Sequence, residues 1–483
     1  MGLLRGFIEF ERVEQSHVDV ETRIKSFCEI YGTLTDAQVK TQAGRCMDCG
    51  IPFCMHECPL HNDSPDFNEF VTEGQMSKAY SVLSYTNNFP EITGRICPAL
   101  CEEGCTLGIH RDPVGIKSVE RKIAEYAFEN GLVKPIINEH KSGKSVAIVG
   151  SGPAALAAAQ QLNRLGHKVT VFEKMNKVGG LLRYGIPDFK LPKDILDRRI
   201  SQLELEGITF KTSTIVGKIT DLEHGVHNDS LQEIHSDELL KEYDAIVLAP
   251  GSEAPRDLRL EGRNLKGVNY ALDFLIAQNR ENNGDCPNPF DVKGKNVVVI
   301  GGGETASDCI GVSIRKGAAS VTQLDYHDEL PESVDLTMAW PDWRKIKRTS
   351  SSHEEGCTRL FSTNTTAFLG KDKLEAVATQ KVKWGQGRQF SGIEGTEDKI
   401  KADLVLIAMG YSHPSSALIR EFSLETDKRG NIKADTEGDN AYKTSKEKIF
   451  AAGDGRKGQS LVVYAIAEGR ACAAAVDKFL NKE

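Results

Sequence analysis

Basic charge is in short supply in this chain: 60 Lys and Arg residues stand against 69 Asp and Glu, a formal net charge of -9. That balance repels phosphate backbones and anionic lipid, and so argues against nucleic acid and membrane surfaces as partners. Aromatic residues are also scarce, at 7%, but 40% hydrophobic and 27% charged residues make an ordinary globular composition. No apolar run in the 483 residues is long enough for a membrane span. The opening stretch, MGLLRGFIEFERVE, lacks the sustained apolar segment of an export signal, and Gly6 stands where a myristoylation signal has Ser or Thr. A cytoplasmic location is expected, and with it reduced thiols rather than disulfides.

What the chain does have is a crowd of cysteines in one region. Seven of its twelve fall early: Cys46, Cys49, Cys54 and Cys58 in GRCMDCGIPFCMHECP, then Cys97, Cys101 and Cys105 in GRICPALCEEGC. The scattered remainder, Cys28, Cys286, Cys309, Cys357 and Cys472, read as small buried hydrophobes. The spacing C-x2-C-x4-C-x3-C-P resembles the bacterial ferredoxin run, in which three close thiolates hold one cluster and the one before proline reaches another. By that logic Cys46, Cys49 and Cys54 share one cluster, and Cys58 joins Cys97, Cys101 and Cys105 in a second. The first is then one ligand short. Glu120 is a candidate, beside the apolar stripe Ile116, Val119, Ile123 and Ala127 of a helix predicted from about Ile116, although Glu120 and Arg121 also read as a solvated helix face. His56 is a weaker candidate. A zinc site of four thiolates is the other reading, which leaves three thiols stranded.

From Lys144 the chain reads KSVAIVGSGPAALAAA: an apolar strand at Val146 to Val149, a glycine turn and a helix. Gly150, Gly152 and Ala155 fill G-x-G-x-x-A, and Glu173 ends the next strand where a carboxylate accepts a ribose hydroxyl. The pattern recurs at NVVVIGGGETASDC, with Gly301, Gly303 and Ala306, then Asp325 at the corresponding strand end. Each unit closes with a similar strand and turn, at Ala249 to Gly251 and Ala408 to Gly410. This is a duplicated Rossmann-type unit with two dinucleotide sites, and the pairing of flavin with nicotinamide converts hydride into the single electrons that iron–sulfur clusters carry.

In this order the motifs are specific. GFIEFER, CMDCGIPFC, GRICP, VAIVGSGPAALAAA, GGLLRYGIPDFKLP, VVVIGGGETASDC and AAGDGRKGQSLVVYAIAEGR together resemble the small (beta) subunit of bacterial-type glutamate synthase and the matching region of the eukaryotic enzyme, over residues 6 to 470. The cluster region is similar to that of dihydropyrimidine dehydrogenase. The resemblance implies FAD at Gly150, Gly152, Pro153, Ala154, Ala155 and Glu173, lined by Gly180 and Leu181 and completed by Gly453, Asp454, Ser460, Leu461 and Val462. It implies NADH or NADPH at Gly301, Gly303, Glu304, Thr305, Ala306 and Asp325, and two [4Fe-4S] clusters, with Glu120 as the ligand that is not a cysteine. It implies further that NAD(P)H reduces FAD and that a large (alpha) subunit, carrying FMN and an iron–sulfur cluster, makes two L-glutamate from L-glutamine and 2-oxoglutarate. No N-terminal cysteine for glutamine hydrolysis and no length for a synthase barrel remain here, so that partner is expected.

Asp325, with no Arg or Lys following until Arg344, favours NADH, because a carboxylate accepts the ribose 2′-hydroxyl and repels a 2′-phosphate. His327 could oppose this when protonated. Hydride transfer by stacking needs no acid–base residue, so no catalytic side chain is assigned. The expected fold class is α/β: two Rossmann-type domains after a mainly α-helical iron–sulfur domain. The expected division is 1–143 for the clusters, 144–290 for the first part of the FAD domain, 291–411 for NAD(P)H and 412–483 for the returning FAD part. The polar excursion WPDWRKIKRTSSSHEEG, after Pro331, is expected to be a surface loop without chemistry. Rival readings are the flavin subunit of another complex, such as a ferredoxin-dependent transhydrogenase or a dihydropyrimidine dehydrogenase-type module, and a zinc-stabilised scaffold. A thiol–disulfide reductase fits less well, since Cys309 has no partner cysteine in its unit.

Overall fold

The computed structural model describes residues 3–333, 335, 340–342 and 344–481. The early part is helical, with α1 (Asp36–Gly44), α2 (Phe53–Glu57), α3 (Ser64–Thr72), α4 (Met76–Thr86), α5 (Pro90–Ile96), α6 (Leu100–Glu103) and α7 (Ile116–Glu129). Local chemistry starts these helices: Thr35 and Gln38 form a capping box on α1, and Asp63 caps α3 with Pro65 in its first turn. The predicted stripe on α7 is buried, with Ile116, Val119, Ile123 and Ala127 at most 2% exposed. Glu120 and Arg121 are buried too, at 6% and 2%, so the solvated-face reading is wrong. The reason is that α7 runs through the middle of the bundle, against α1, α4 and α5. Gly94 lets α5 approach so closely that a Cβ there would lie 2.8 Å from the Arg121 Cα.

Next come β1 (Ser145–Val149), α8 (Pro153–Arg164), β2 (Lys168–Phe172), α9 (Lys193–Leu205), β3 (Thr209–Lys211) and β4 (Ala245–Leu248). They are followed by β5 (Val268–Tyr270), α10 (Ala271–Asn282), β6 (Asn296–Ile300), α11 (Glu304–Arg315), β7 (Ser320–Leu324), β8 (Thr358–Leu360), β9 (Leu404–Ile407), β10 (Ile449–Ala451) and α12 (Val462–Leu480). One parallel sheet has the order β10-β4-β1-β2-β3, the other β8-β7-β6-β9-β5. The central strands are apolar runs buried on both faces, as parallel strands between helices must be. In each sheet the fingerprint strand, β1 or β6, lies between the strand that follows its helix and the strand that closes its unit.

Two expectations need correction. β5 pairs with β9, Val268 opposite Val405, and Phe274 and Leu275 of α10 sit in the second sheet's core. Residues 268–282 therefore go with the second sheet, and the boundary at 290 is too late. A three-residue strand carries no local mark of the sheet it will join. The excursion after Pro331 is not a free loop either: Ser351 and Ser352 are buried, and a Cβ at Gly311 of α11 would lie 2.5 Å from the Ser352 Oγ. Residues 334, 336–339 and 343 of that stretch lie outside the described residues.

The helical part shares a core with the first sheet's helices, where Phe89 and Ile92 pack with Leu196 and Ile200. Arg199 of α9 reaches across to Glu91 of α5 through two hydrogen bonds of 2.8 Å, and the two side chains are 2% and 0% exposed. Arg198 holds Glu125 of α7 in the same way, at 2.8 and 3.0 Å. α12 lies along α8, where Gly469 permits a contact in which a Cβ would be 2.1 Å from the Ala154 carbonyl oxygen. Among the described residues no helix is long and apolar enough to cross a membrane. Removing one partner of a buried ion pair strands the other, so R199M is expected to cost about 3–5 kcal/mol. Denaturant unfolding measures this, and R199M/E91L should recover most of the loss.

Candidate functional site

A cavity of about 1130 Å³ is lined by residues at the ends of strands of both sheets. Its volume exceeds that of a pocket for one drug-sized ligand. Its walls include Gly150, Gly152, Pro153, Ala154 and Glu173 from the first fingerprint unit, Gly180 and Leu181, then Asp454, Ser460, Leu461 and Val462 from the returning chain. The opposite wall is formed by Gly301, Gly303, Glu304, Thr305 and Asp325. Ala155 and Ala306 stand behind it, fully buried, where a small residue lets helix pack on strand. Gly453 also lies outside the wall, and a Cβ on it would come 2.7 Å from the Ala154 Cβ.

The turns repeat in detail. Gly150 and Gly301 have φ of +100° and +136°, and a Cβ on either would lie 2.4 or 2.2 Å from the carbonyl oxygen of Ala249 or Ala408. A Cβ on Gly152 or Gly303 would meet nothing within 4 Å. At these positions the backbone leaves the room that a diphosphate needs over a helix N-terminus. Glu173 accepts hydrogen bonds from the Ser151 hydroxyl at 2.5 Å and the Met175 N–H at 2.8 Å, and burial pushes its pKa up. Asp454 is likewise raised by burial, against a 2.5 Å bond from Ser460. Asp325 accepts from the backbone N–H of His327 at 3.0 Å, with its ring Nδ1 at 2.8 Å.

The early thiols fall into two groups, but not the two that spacing suggested. Cys46, Cys49, Cys54 and Cys105 line one small pocket, floored by Leu107, Val114 and Ile116. Cys58, Cys97 and Cys101 pack in one apolar cluster, and Glu120 lies near enough to each of them that its charge would oppose a thiolate there. Cys105 and Glu120 have therefore changed places relative to the expectation. After Gly104 the chain turns back under the first loop, while α7 presents Glu120 to the second. Burial drives Cys46 and Cys58 up to about 11 and Cys54 and Cys97 up to about 12, and raises Cys101 and Cys105 as well. Glu120 is raised by burial to about 7 even though Thr93, Asn87 and Asn62 donate to it. Four soft thiol donors around one apolar-floored pocket, and three more buried with a single carboxyl, fit iron–sulfur clusters. Among the described residues no three Cys, His, Asp or Glu side chains converge on a single-ion site. Of the scattered cysteines Cys309 and Cys472 are buried as expected, whereas Cys28 and Cys286 are exposed.

Cys97, with its neighbour Pro98 and with Lys117 of α7, also lines the large cavity. The second thiol group thus borders the space that both fingerprints enclose. Sequence reading missed Ser151, which also accepts the Gly179 N–H at 3.0 Å, and Lys190. The Lys190 ammonium crosses from the first unit to Asp308 at 2.8 Å and Glu304 at 3.1 Å on α11. One sign of it was available, since Asp308 falls on the buried stretch of α11, where a carboxylate requires a cation from elsewhere.

Comparison with known proteins agrees with this layout. Residues 144–469 match the family profile described as pyridine nucleotide-disulphide oxidoreductase, and residues 23–132 match dihydropyrimidine dehydrogenase domain II, 4Fe-4S cluster. The chain is 43% identical to the glutamate synthase [NADPH] small chain of Mycobacterium tuberculosis, over 98% of this chain and 95% of that one. It is 42% identical to the glutamate synthase [NADH] of Saccharomyces cerevisiae, over 99% of this chain but 22% of the yeast protein. The solved structure of Mycobacterium tuberculosis FprA in complex with NADPH shares the fold over 70% of this chain and 85% of its own, with TM-score 0.52 and 20% identity. On this agreement in sequence along nearly its whole length, the chain belongs to the family of glutamate synthase small chains.

Proposed function

We propose that this chain is the electron-input subunit of a glutamate synthase. It oxidises NAD(P)H and sends the electrons to a large subunit, carrying FMN and an iron–sulfur cluster, that makes two L-glutamate from L-glutamine and 2-oxoglutarate. The observation that carries this reading is the one cavity bordered by both fingerprints and by Cys97. The first fingerprint, Glu173, Gly180, Leu181 and the Asp454–Val462 turn would hold FAD, and the second fingerprint with Asp325 the nicotinamide nucleotide. Cys46, Cys49, Cys54 and Cys105 would hold one [4Fe-4S] cluster, and Cys58, Cys97, Cys101 and Glu120 the other. When bound, these groups supply the exchange of a hydride for two single electrons and the carriage of those electrons.

The protein's own contribution is placement and electrostatics. Ser151 and the Met175 N–H orient Glu173 for a ribose hydroxyl. α12 starts at Val462 on the cavity wall, and its 19 residues give it a helix N-terminus that favours negative charge there. Lys190 ties the two nucleotide units together across the cavity, which supports stacking of the two ligands as a proximity effect. Asp325, at the ribose end of the second site, supports NADH over NADPH.

Three outcomes test the reading. In photoreduced protein, C105A and C54A should alter the same electron-paramagnetic signal, and E120A and C97A the other; C105A altering the signal that C97A alters would contradict the ligand sets. D325N should lower kcat/KM for NADH by about tenfold and raise that for NADPH, since a hydrogen bond to a charged group contributes about 1.5–3 kcal/mol. Anaerobic co-purification should recover a large FMN-containing partner, and NADH oxidation by the complex should require glutamine and 2-oxoglutarate. A partner of another activity would overturn the assignment.

A further inference from the structure

The turn Leu100–Gly104 carries Cys101 of one thiol group and leads into Cys105 of the other, and its two consecutive acids are held from opposite sides. Glu102 takes Arg12, at 2.7 Å, and the Lys117 N–H, at 2.9 Å. Glu103 takes the Arg344 Nε at 2.9 Å and the Arg348 Nη2 at 3.1 Å, from the excursion between β7 and β8. In the same excursion the Trp340 indole donates to the Gly104 carbonyl at 3.3 Å, and its ring stands 4.5 Å from that of Phe53, the neighbour of Cys54. A Cβ on Gly108 would come 3.3 Å from the Arg344 guanidinium. Arg344 and Glu103 are only 17% and 19% exposed, so this ion pair is largely shielded from solvent and salt. The other end is anchored too, the Ser350 hydroxyl lying 2.6 Å from that of Ser307 on α11.

We propose that residues 340–342 and 344–348 form a brace, with Trp340, Arg344 and Arg348 as positioning residues, that fixes the Cys101–Cys105 turn and keeps water from the Cys46, Cys49, Cys54 and Cys105 group. The proposal rests on the reading of that group as a cluster site. The brace acts through ligand placement and solvent exclusion, the two levers by which surroundings tune a metal centre. Its arginines also offset acids that would otherwise stand between two thiolate-rich groups, where like charges repel.

The test uses full-length protein isolated anaerobically with its flavin. W340A and R344A/R348A are compared with wild type for iron release to a ferrous chelator in air, for the electron-paramagnetic spectrum after photoreduction, and for flavin content and thermal unfolding. The brace predicts iron loss about tenfold faster from the cluster whose signal C105A alters, and less from the other, with flavin content unchanged and with W340F close to wild type. Release rates and spectra equal to wild type would overturn it, as would equal loss from both clusters accompanied by flavin loss, which marks general unfolding. Wild-type protein with bound flavin but no iron would overturn the cluster reading itself, and the brace with it.

Discussion

Acidic donors buried side by side cannot all carry charge unless a cation sits among them. That constraint governs the early third of this chain. Cys58, Cys97, Cys101 and Glu120 are gathered in one place and Cys46, Cys49, Cys54 and Cys105 in another, and burial pushes most of these groups toward their neutral forms. A cationic metal centre reverses that direction by binding the deprotonated donors. The helices around them are arranged accordingly: α7 runs through the bundle to bring Glu120 inward, and α5 approaches it closely enough to require Gly94. The buried Glu91–Arg199 pair then fixes this assembly to the first sheet.

The second constraint is proximity. Hydride passes only between stacked rings, and electrons leave efficiently only where the next carrier is near. Duplicated nucleotide units meet that demand by facing one another across a shared cavity, and their glycine turns are alike down to the carbonyl each would strike if it carried a Cβ. α12 and Lys190 add to the wall of that cavity from outside the fingerprint turns. The first comes late in the chain, packed on α8 through Gly469; the second pairs with Asp308 of α11. Cys97 in the wall places the second thiol group in direct continuity with it.

Much of this was legible in the amino-acid order, because it depends on short-range chemistry. The fingerprint glycines, the acids at Glu173 and Asp325 and the stripe of α7 each follow from a few neighbouring residues. Features that depend on how distant segments return were not legible. Spacing could not show that the chain after Gly104 folds back beneath Cys46, so Cys105 and Glu120 were assigned to each other's group. Nor could Val268–Tyr270 announce which sheet it would join, or the polar residues after Pro331 that Trp340 would reach Gly104, 236 positions away. Sequence pattern reads faces and turns; closure of long loops is decided by packing elsewhere.

The central claim is that one polypeptide joins a flavin to two iron–sulfur centres. The most direct measurement is the ratio of iron and acid-labile sulfide to FAD in protein isolated anaerobically. The account predicts about eight of each per flavin, four for each cluster. Protein with its full flavin and either zinc or no metal at these cysteines would contradict it.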